Sequence, residues 1–140
     1  MLRTRIPATE EPVSLEEAKA HLAVIHAADD LLIGAMIVAA REVVERATAY
    51  ALVVASYEWT PVGERCTPLP IEPGAVTSAA GDRPVLFDTV PGPVPAPLRA
   101  AILLLVGDLY ANREAGITGT IHVENPTVDR LMFPYRRVSP

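Results

Sequence analysis

Proline divides this chain into three. Of its fourteen prolines, nine lie between Pro61 and Pro97. A proline has no backbone N–H to give to a helix interior or a central strand, so it is confined to first turns, strand edges and loops. The stretch GERCTPLPIEPGAVTSAAGDRPVLFDTVPGPVPAPLR therefore cannot be one helix. Its apolar residues Val76, Val85, Leu86 and Phe87 predict short strands near 67–72, 75–78 and 84–89, with a turn at Ala80, Gly81 and Asp82. A disordered linker is the competing reading. Just ahead of it, YALVVASYEWTPV is rich in β-branched and aromatic residues and reads as a strand.

Helical signals flank this middle third. Ser14 followed by Glu17 fits a capping box, and Leu15, Ala18 and Leu22 share a stripe, which predicts a helix over about 15–23. Asp29 or Asp30 is a natural N-cap for a second helix over about 30–48. Its first half, Leu31 to Ala40, carries no charge. In its second half Val43, Val44 and Ala47 fall on one side, and Arg41, Glu42, Glu45 and Arg46 on the other. Pro95 and Pro97 suit the first turn of a third helix over 97–114, and Gly116 suits its end. Leu98, Ile102, Leu105 and Leu109 form one stripe of it, widened by Leu103, Val106 and Tyr110. A short last helix is expected over about 126–132, ended by Pro134.

The predicted fold is mainly α: a small helical bundle of two long and two short helices. A short proline-rich β insert lies between the second and third helices. One domain spans 1–140, with a helical body over 12–133, the insert at about 52–92 and a C-terminal tail at 134–140. Half the residues are hydrophobic but only 5% are aromatic, so alanine, valine and leucine must fill the interior. The longest uncharged run of the third helix, Ala100–Gly107, is far short of the roughly twenty residues a membrane span needs. The N-terminus has no apolar core of a signal peptide, so the expected protein is neither secreted nor membrane-bound.

The residues that carry chemistry do not converge. Cys66 is the only cysteine, which excludes an internal disulfide or a multi-thiolate zinc site. His21 and His26 are five apart, off the i,i+4 spacing of a helical metal pair, and His122 is remote. There is no phosphate-binding glycine loop and no nucleophile elbow. Asp29 and Asp30 read as caps. Asp108, Arg113 and Glu114 form either a surface ion-pair cluster or a subunit contact. No catalytic residue, metal or cofactor is expected, and the chain is not read as an enzyme. The net charge of −5 argues against gripping nucleic acid as a whole, although a local basic patch remains open. What stands out is apolar helix surface. Leu31–Ala40 and Ala100–Gly107 are either both core or partly covered by neighbouring copies of the chain.

PVSLEEAKAHLAV, DDLLIGAMIVAAREVVERAT, a proline-rich β stretch, VPAPLRAAILLLVGDLYANREA and PTVDRLMFPYR follow one another in that order. The ordered set, over roughly 12–137, resembles the head–tail connector or adaptor proteins of long-tailed bacteriophages, prophages and phage-derived gene transfer particles. The β stretch is shorter than in many members. The resemblance implies a ring of about a dozen copies beneath the portal protein. The ring would extend the DNA channel without sequence-specific binding and present a surface to the next tail-completion or stopper protein. It implies a place at the head–tail junction of the particle, with assembly in the bacterial cytoplasm. Candidate ring contacts are Leu32, Met36, Ile37, Leu103, Leu104, Tyr110 and Arg113. Candidate portal-docking residues are Tyr135, Arg136 and Arg137, in an acid-free tail that would otherwise be a frayed terminus. The alternative is a small DNA-binding or packaging-accessory protein that uses the arginines of the tail and of MLRTR.

Overall fold

The computed structural model describes residues 1–62, 68–79, 84–113 and 125–138. Its elements are β1 (Leu2–Ile6), α1 (Leu15–Leu22), α2 (Asp30–Thr48), β2 (Ser56–Trp59), β3 (Gly74–Ser78), β4 (Val85–Thr89), α3 (Ala96–Ala111) and α4 (Pro126–Met132). A 3₁₀ turn over Phe133–Tyr135 follows α4. The fold is mainly helical, with four helices and a small antiparallel sheet in the order β1-β2-β4-β3.

The helices begin where their caps lie. The Ser14 hydroxyl oxygen accepts the Glu17 N–H at 3.1 Å. The Glu17 carboxylate then receives Arg99 Nη1 at 2.9 Å instead of turning back on the cap, and so ties α1 to α3. Asn125 caps α4 by accepting the Thr127 N–H. Pro95 is the N-cap of α3 and Pro97 lies in its first turn, where no N–H is needed. The α3 helix ends at Ala111, earlier than the expected 114, and Gly116 lies outside the described residues. Pro134 does not stop the chain from turning; it sits inside the 3₁₀ turn.

The sheet is not wholly an insert. Its first strand comes from the N-terminus, where LRTRI pairs antiparallel with SYEW. The long expected strand over YALVVASYEWTPV shrinks to Ser56–Trp59. No strand forms over the described part of 67–72, where only a single bridge joins Tyr50 and Glu72. The expected strands near 75–78 and 84–89 are present as β3 and β4. The expected turn at Ala80, Gly81 and Asp82 lies outside the described residues, as do Cys66 and His122. In β3, a Cβ on Gly74 would come within 3.1 Å of Leu69 and 3.2 Å of Phe87 and would have to push them back by a few tenths of an ångström, so glycine lets the strand lie close to the core.

Two cores share the interior. The helical core gathers Val13, Ile33, Ile37, Val44, Leu98, Ile102 and Val106. The sheet core gathers Val53, Tyr57, Leu69, Ile71, Val85 and Phe87, with Tyr57 and Phe87 stacked at 5.4 Å. The extended segment 51–55 runs between them. Leu52 points into the helical core, and Ala51, Val53 and Ala55 point into the sheet core, as the period of two in extended chain requires. Buried Thr89 fastens the sheet to this segment. It donates to the Val53 carbonyl at 2.7 Å and accepts the Ala55 N–H at 2.9 Å.

A buried charge cluster closes the seam. Arg41 Nη1 donates to Glu45 at 2.9 Å, and its Nε and Nη2 donate to the two Glu11 oxygens at 3.0 and 3.2 Å. The other Glu45 oxygen accepts the Leu52 N–H at 2.8 Å. Burial raises the Glu45 pKa, and the Leu52 N–H and Arg41 pull against that rise. Burial also opposes the Arg41 charge, but Glu11 and Glu45 together outweigh it and hold the guanidinium more firmly protonated than usual.

Arg41→Met strands the Glu45 carboxylate without its cation and is expected to cost about 3–5 kcal/mol. Adding Glu45→Gln keeps an acceptor for Leu52 but removes the charge, so the double variant should recover much of that loss. Urea denaturation of the two single variants and the double variant measures the coupling.

Candidate functional site

The face that α2 turns to solvent is apolar. Ile33, Ile37, Ala40, Arg41, Val44, Glu45 and Thr48 are buried and mark the inward arc. Leu31, Leu32, Ala35, Val38, Ala39 and Val43 are exposed on the opposite arc, with Leu31 at 94% and Val43 at 50%. The expected amphipathicity of the second half holds for Val44, which is buried, and for Glu42 and Arg46, which face solvent, but fails at four positions. Arg41 and Glu45 face in, and Val43 and Ala47 face out. The signal was the phase of the helix: Arg41 and Glu45 repeat at 3.6 residues with Ile37, Val44 and Thr48.

The candidate ring contacts therefore separate into groups. Met36, at 9%, and Ile37, at 3%, belong to the protomer's own core, because they lie on the arc that packs against the rest of the bundle. They are not open to a neighbour. Leu32 is exposed. Leu103 and Leu104 are half-buried and pack at the margin of the helical core.

Tyr110 and Arg113 are engaged with Asp29. The Tyr110 hydroxyl donates to Asp29 Oδ2 at 2.6 Å, and Arg113 Nη1 donates to the same oxygen at 3.2 Å. The guanidinium also lies 4.4 Å from the centre of the Tyr110 ring. This latch joins the start of α2 to the end of α3. Asp29 occupies the N-cap position, yet its side chain makes no cap bond, so the expected capping role passes to this pairing. Asp30 likewise pairs with Lys19 at 2.8 Å. Arg113 thus meets Asp29, not a cluster with Asp108, and Glu114 lies outside the described residues. The Tyr110 hydrogen bond lowers the Asp29 pKa; desolvation opposes it, and Arg113 and His26 add to the lowering. The same hydrogen bond raises the Tyr110 pKa.

The tail is tied to its own body. Tyr135 packs edge-on against Tyr50 at 6.0 Å. Arg136 pairs with Asp129 at 2.7 Å, and Arg137 pairs with Glu72 at 3.3 Å. The Arg137 N–H donates to the Thr48 carbonyl at 3.2 Å. Its exposed large apolar residues are Phe133, at 72%, and Val138.

A hollow of about 300 Å³ is lined by Thr9, Glu10, Glu11, Leu52, Val53 and Pro91. Another of about 280 Å³ is lined by Val43, Leu105, Asp108, Val128, Asp129 and Met132. Among the described residues no three metal-ligating side chains come together, and no helix is long and apolar enough to cross a membrane.

Comparison with known proteins gives one consistent picture. Residues 12–136 match the family of phage gp6-like head-tail connector proteins. A chain in the virion of a native gene transfer agent particle superimposes with a TM-score of 0.73 at 21% identity, covering 100% of this chain and 97% of that one. A chain in the neck of an empty gene transfer agent particle gives 0.72 at 22% identity, with the same 100% and 97% coverage. The crystal structure of bacteriophage HK97 gp6 gives 0.54 at 19% identity, over 89% of this chain and 93% of that one. No curated protein matches.

Two outcomes follow from these placements. Ile37→Glu buries a charge with no partner and should unfold the protein or destabilise it by at least about 3 kcal/mol, whereas Leu31→Glu should stay within about 0.5 kcal/mol; thermal melts distinguish them. For Asp29, a lowered folded pKa means that its contribution is fully present above the ordinary aspartate value near pH 4 and is lost as pH falls through the folded value. Asp29→Asn should therefore flatten the fall of stability below about pH 4, as read from urea midpoints across pH.

Proposed function

We propose, on the premise that the chain belongs to the phage gp6-like head-tail connector family, that copies of it form a ring beneath the portal of a filled head. Membership makes it a structural component of a phage-like particle rather than an enzyme. In the proposed ring about a dozen copies extend the DNA channel and offer a docking surface to the next tail-completion or stopper protein. Assembly takes place in the bacterial cytoplasm.

The observation that carries this reading is the outward face of α2. A helix whose apolar arc stays exposed after folding has surface for a partner. A ring joins unlike faces of identical copies, so each copy needs one such face and a second that receives it. Leu32 keeps its expected ring-contact role, and exposed Leu31, Val38 and Val43 take the place of buried Met36 and Ile37 beside it. Leu103 and Leu104 contribute their half-exposed flanks, and Tyr110 and Arg113 brace the end of α3. On the portal side, Tyr135, Arg136 and Arg137 anchor the tail and hold Phe133 and Val138 outward for docking.

Charge fits a channel that passes DNA. The net charge is −5, and Arg99, Arg113, Arg136 and Arg137 are each already paired with an acid of the same copy. A tail committed in that way is a poor phosphate grip, which weakens the tail half of the DNA-binding alternative and leaves it the exposed Arg3 and Arg5 of β1.

Mixing the full chain with portal and imaging by negative-stain electron microscopy is the test. The unmodified chain should decorate portals with a ring. Leu31→Glu combined with Val38→Glu should keep its melting temperature and lose the ring. Rings that form normally from that variant would remove α2 from the contact. Salt-sensitive DNA binding without any ring would favour the accessory role.

A further inference from the structure

Among the described residues the sheet has two free edges, one along β1 and one along β3. We propose that successive copies join edge to edge, β3 of one against β1 of the next, so that the sheets continue around the ring. This rests on the ring reading and adds a second, backbone-mediated seam to the α2 face.

Direction is the first support. Every neighbouring pair in the sheet is antiparallel, and there are four strands. β1 and β3 therefore run in opposite directions. A copy related by rotation about the ring axis keeps its strand directions, so its β1 meets the preceding β3 antiparallel. Three or five strands would have made that junction parallel.

Phase is the second. In an antiparallel pair, residues alternate between those that bond to the partner strand and those that turn N–H and C=O away from it. The Met1 amine donates to the Thr60 carbonyl at 2.7 Å, and the Thr60 N–H donates to the Met1 carbonyl at 2.8 Å. Met1 thus faces β2, and alternation turns the backbone groups of Leu2 and Thr4 outward. On the other edge the Val90 N–H donates to the Pro73 carbonyl at 2.9 Å, which turns those of Gly74 and Val76 outward. Leu2 lies opposite Trp59, Thr4 opposite Tyr57, Gly74 opposite Thr89 and Val76 opposite Phe87. Those partners lie on the face of the sheet core. All four outward-bonding residues therefore share one face. Residues directly opposite in a ladder must do so, and Val76 set against Leu2 or Thr4 meets the condition without turning the sheet over. Both bulges, after Thr4 and after Val76, fall beyond these positions.

Side chains are the third. β3, GAVTS, carries no charge, and such an edge is a template for pairing. Val76 sits on the core face yet is 47% exposed, and among the described residues no strand continues the sheet past it. Leu2 or Thr4 of a second copy would cover it. β1 carries exposed Arg3 and Arg5, so β1 against β1 would set like charges together. Two-fold pairing of either edge would also close a dimer rather than a ring.

Disulfide trapping tests this in rings of the full chain on portal, in a Cys66→Ser background. The variants are Leu2→Cys with Val76→Cys, and Thr4→Cys with Val76→Cys. Within one copy these positions are three strand spacings apart, about 14 Å, too far to bridge. One of the pairs should oxidise into a ladder of multimers on a non-reducing gel, and no single-cysteine variant should. Val76→Pro removes an outward N–H that the copy's own ladder does not use; it should keep the fold by circular dichroism and lose the ring, whereas Val76→Thr retains it. Rings without a ladder from either pair, or intact rings from Val76→Pro, would overturn the edge junction and leave the ring reading standing. A dimer band from Val76→Cys alone would overturn it in favour of two-fold pairing. Failure of the unmodified chain to form any ring would overturn the ring reading and the junction together.

Discussion

Glu45 loses its water when α2 packs against the segment 51–55, and that carboxylate organises the chain around it. A lone buried charge is prohibitive, so Arg41 must come in with it, and Arg41 in turn needs Glu11 for its remaining donors. The Leu52 N–H satisfies the other carboxylate oxygen. Three stretches of chain are thereby fixed to one another: the approach to α1, the middle of α2 and the strap between the two cores. Ion pairs of this kind add little net stability over a well-packed apolar substitute. Their effect here is geometric, because every partner has directional requirements that an apolar side chain lacks.

The consequence reaches the outer surface. With Arg41 and Glu45 committed inward, the rotation of α2 about its own axis is set, and the arc from Leu31 to Val43 has no interior left to enter. An ordinary amphipathic helix turns its charges to water. This one takes a charged pair in and leaves aliphatic side chains out. The exposed face is thus a product of the same packing that holds the seam closed, rather than a defect in it.

Local patterning made much of this readable. Ser14 and the prolines at 95 and 97 mark helix starts that the structure keeps. The apolar run Val85, Leu86 and Phe87 marks β4, which the structure keeps. What local patterning missed depends on distant partners. β1 is five residues long, two of them arginine, and becomes a strand only because β2 lies beside it, more than fifty positions along the chain. Nothing within LRTRI announces that. The rotation of α2 was misread because charged side chains are almost never buried unless paired, and the pairing runs through Glu11, which belongs to another segment. Asp29 was assigned to capping for the same reason: its true partners, Tyr110 and Arg113, arrive from α3. The candidate surface was therefore legible as an excess of apolar helix, but the residues that form it were not.

The way this molecule uses its charges also limits how it can assemble. Lys19, Arg41, Arg99, Arg113, Arg136 and Arg137 are each spent on an acid of the same copy. Among the described residues, what faces a neighbour includes an aliphatic helix face, two strand edges and the exposed arginines of β1. These do different things. Apolar contact is non-directional, so it can hold copies together without setting the angle between them. A closed ring needs that angle fixed, because a small error repeated around the circle leaves it open. Backbone hydrogen bonds along a strand edge are directional and come in a fixed register. In the proposed ring the helix face supplies adhesion and the edge supplies the angle, and neither surface alone would suffice to close it.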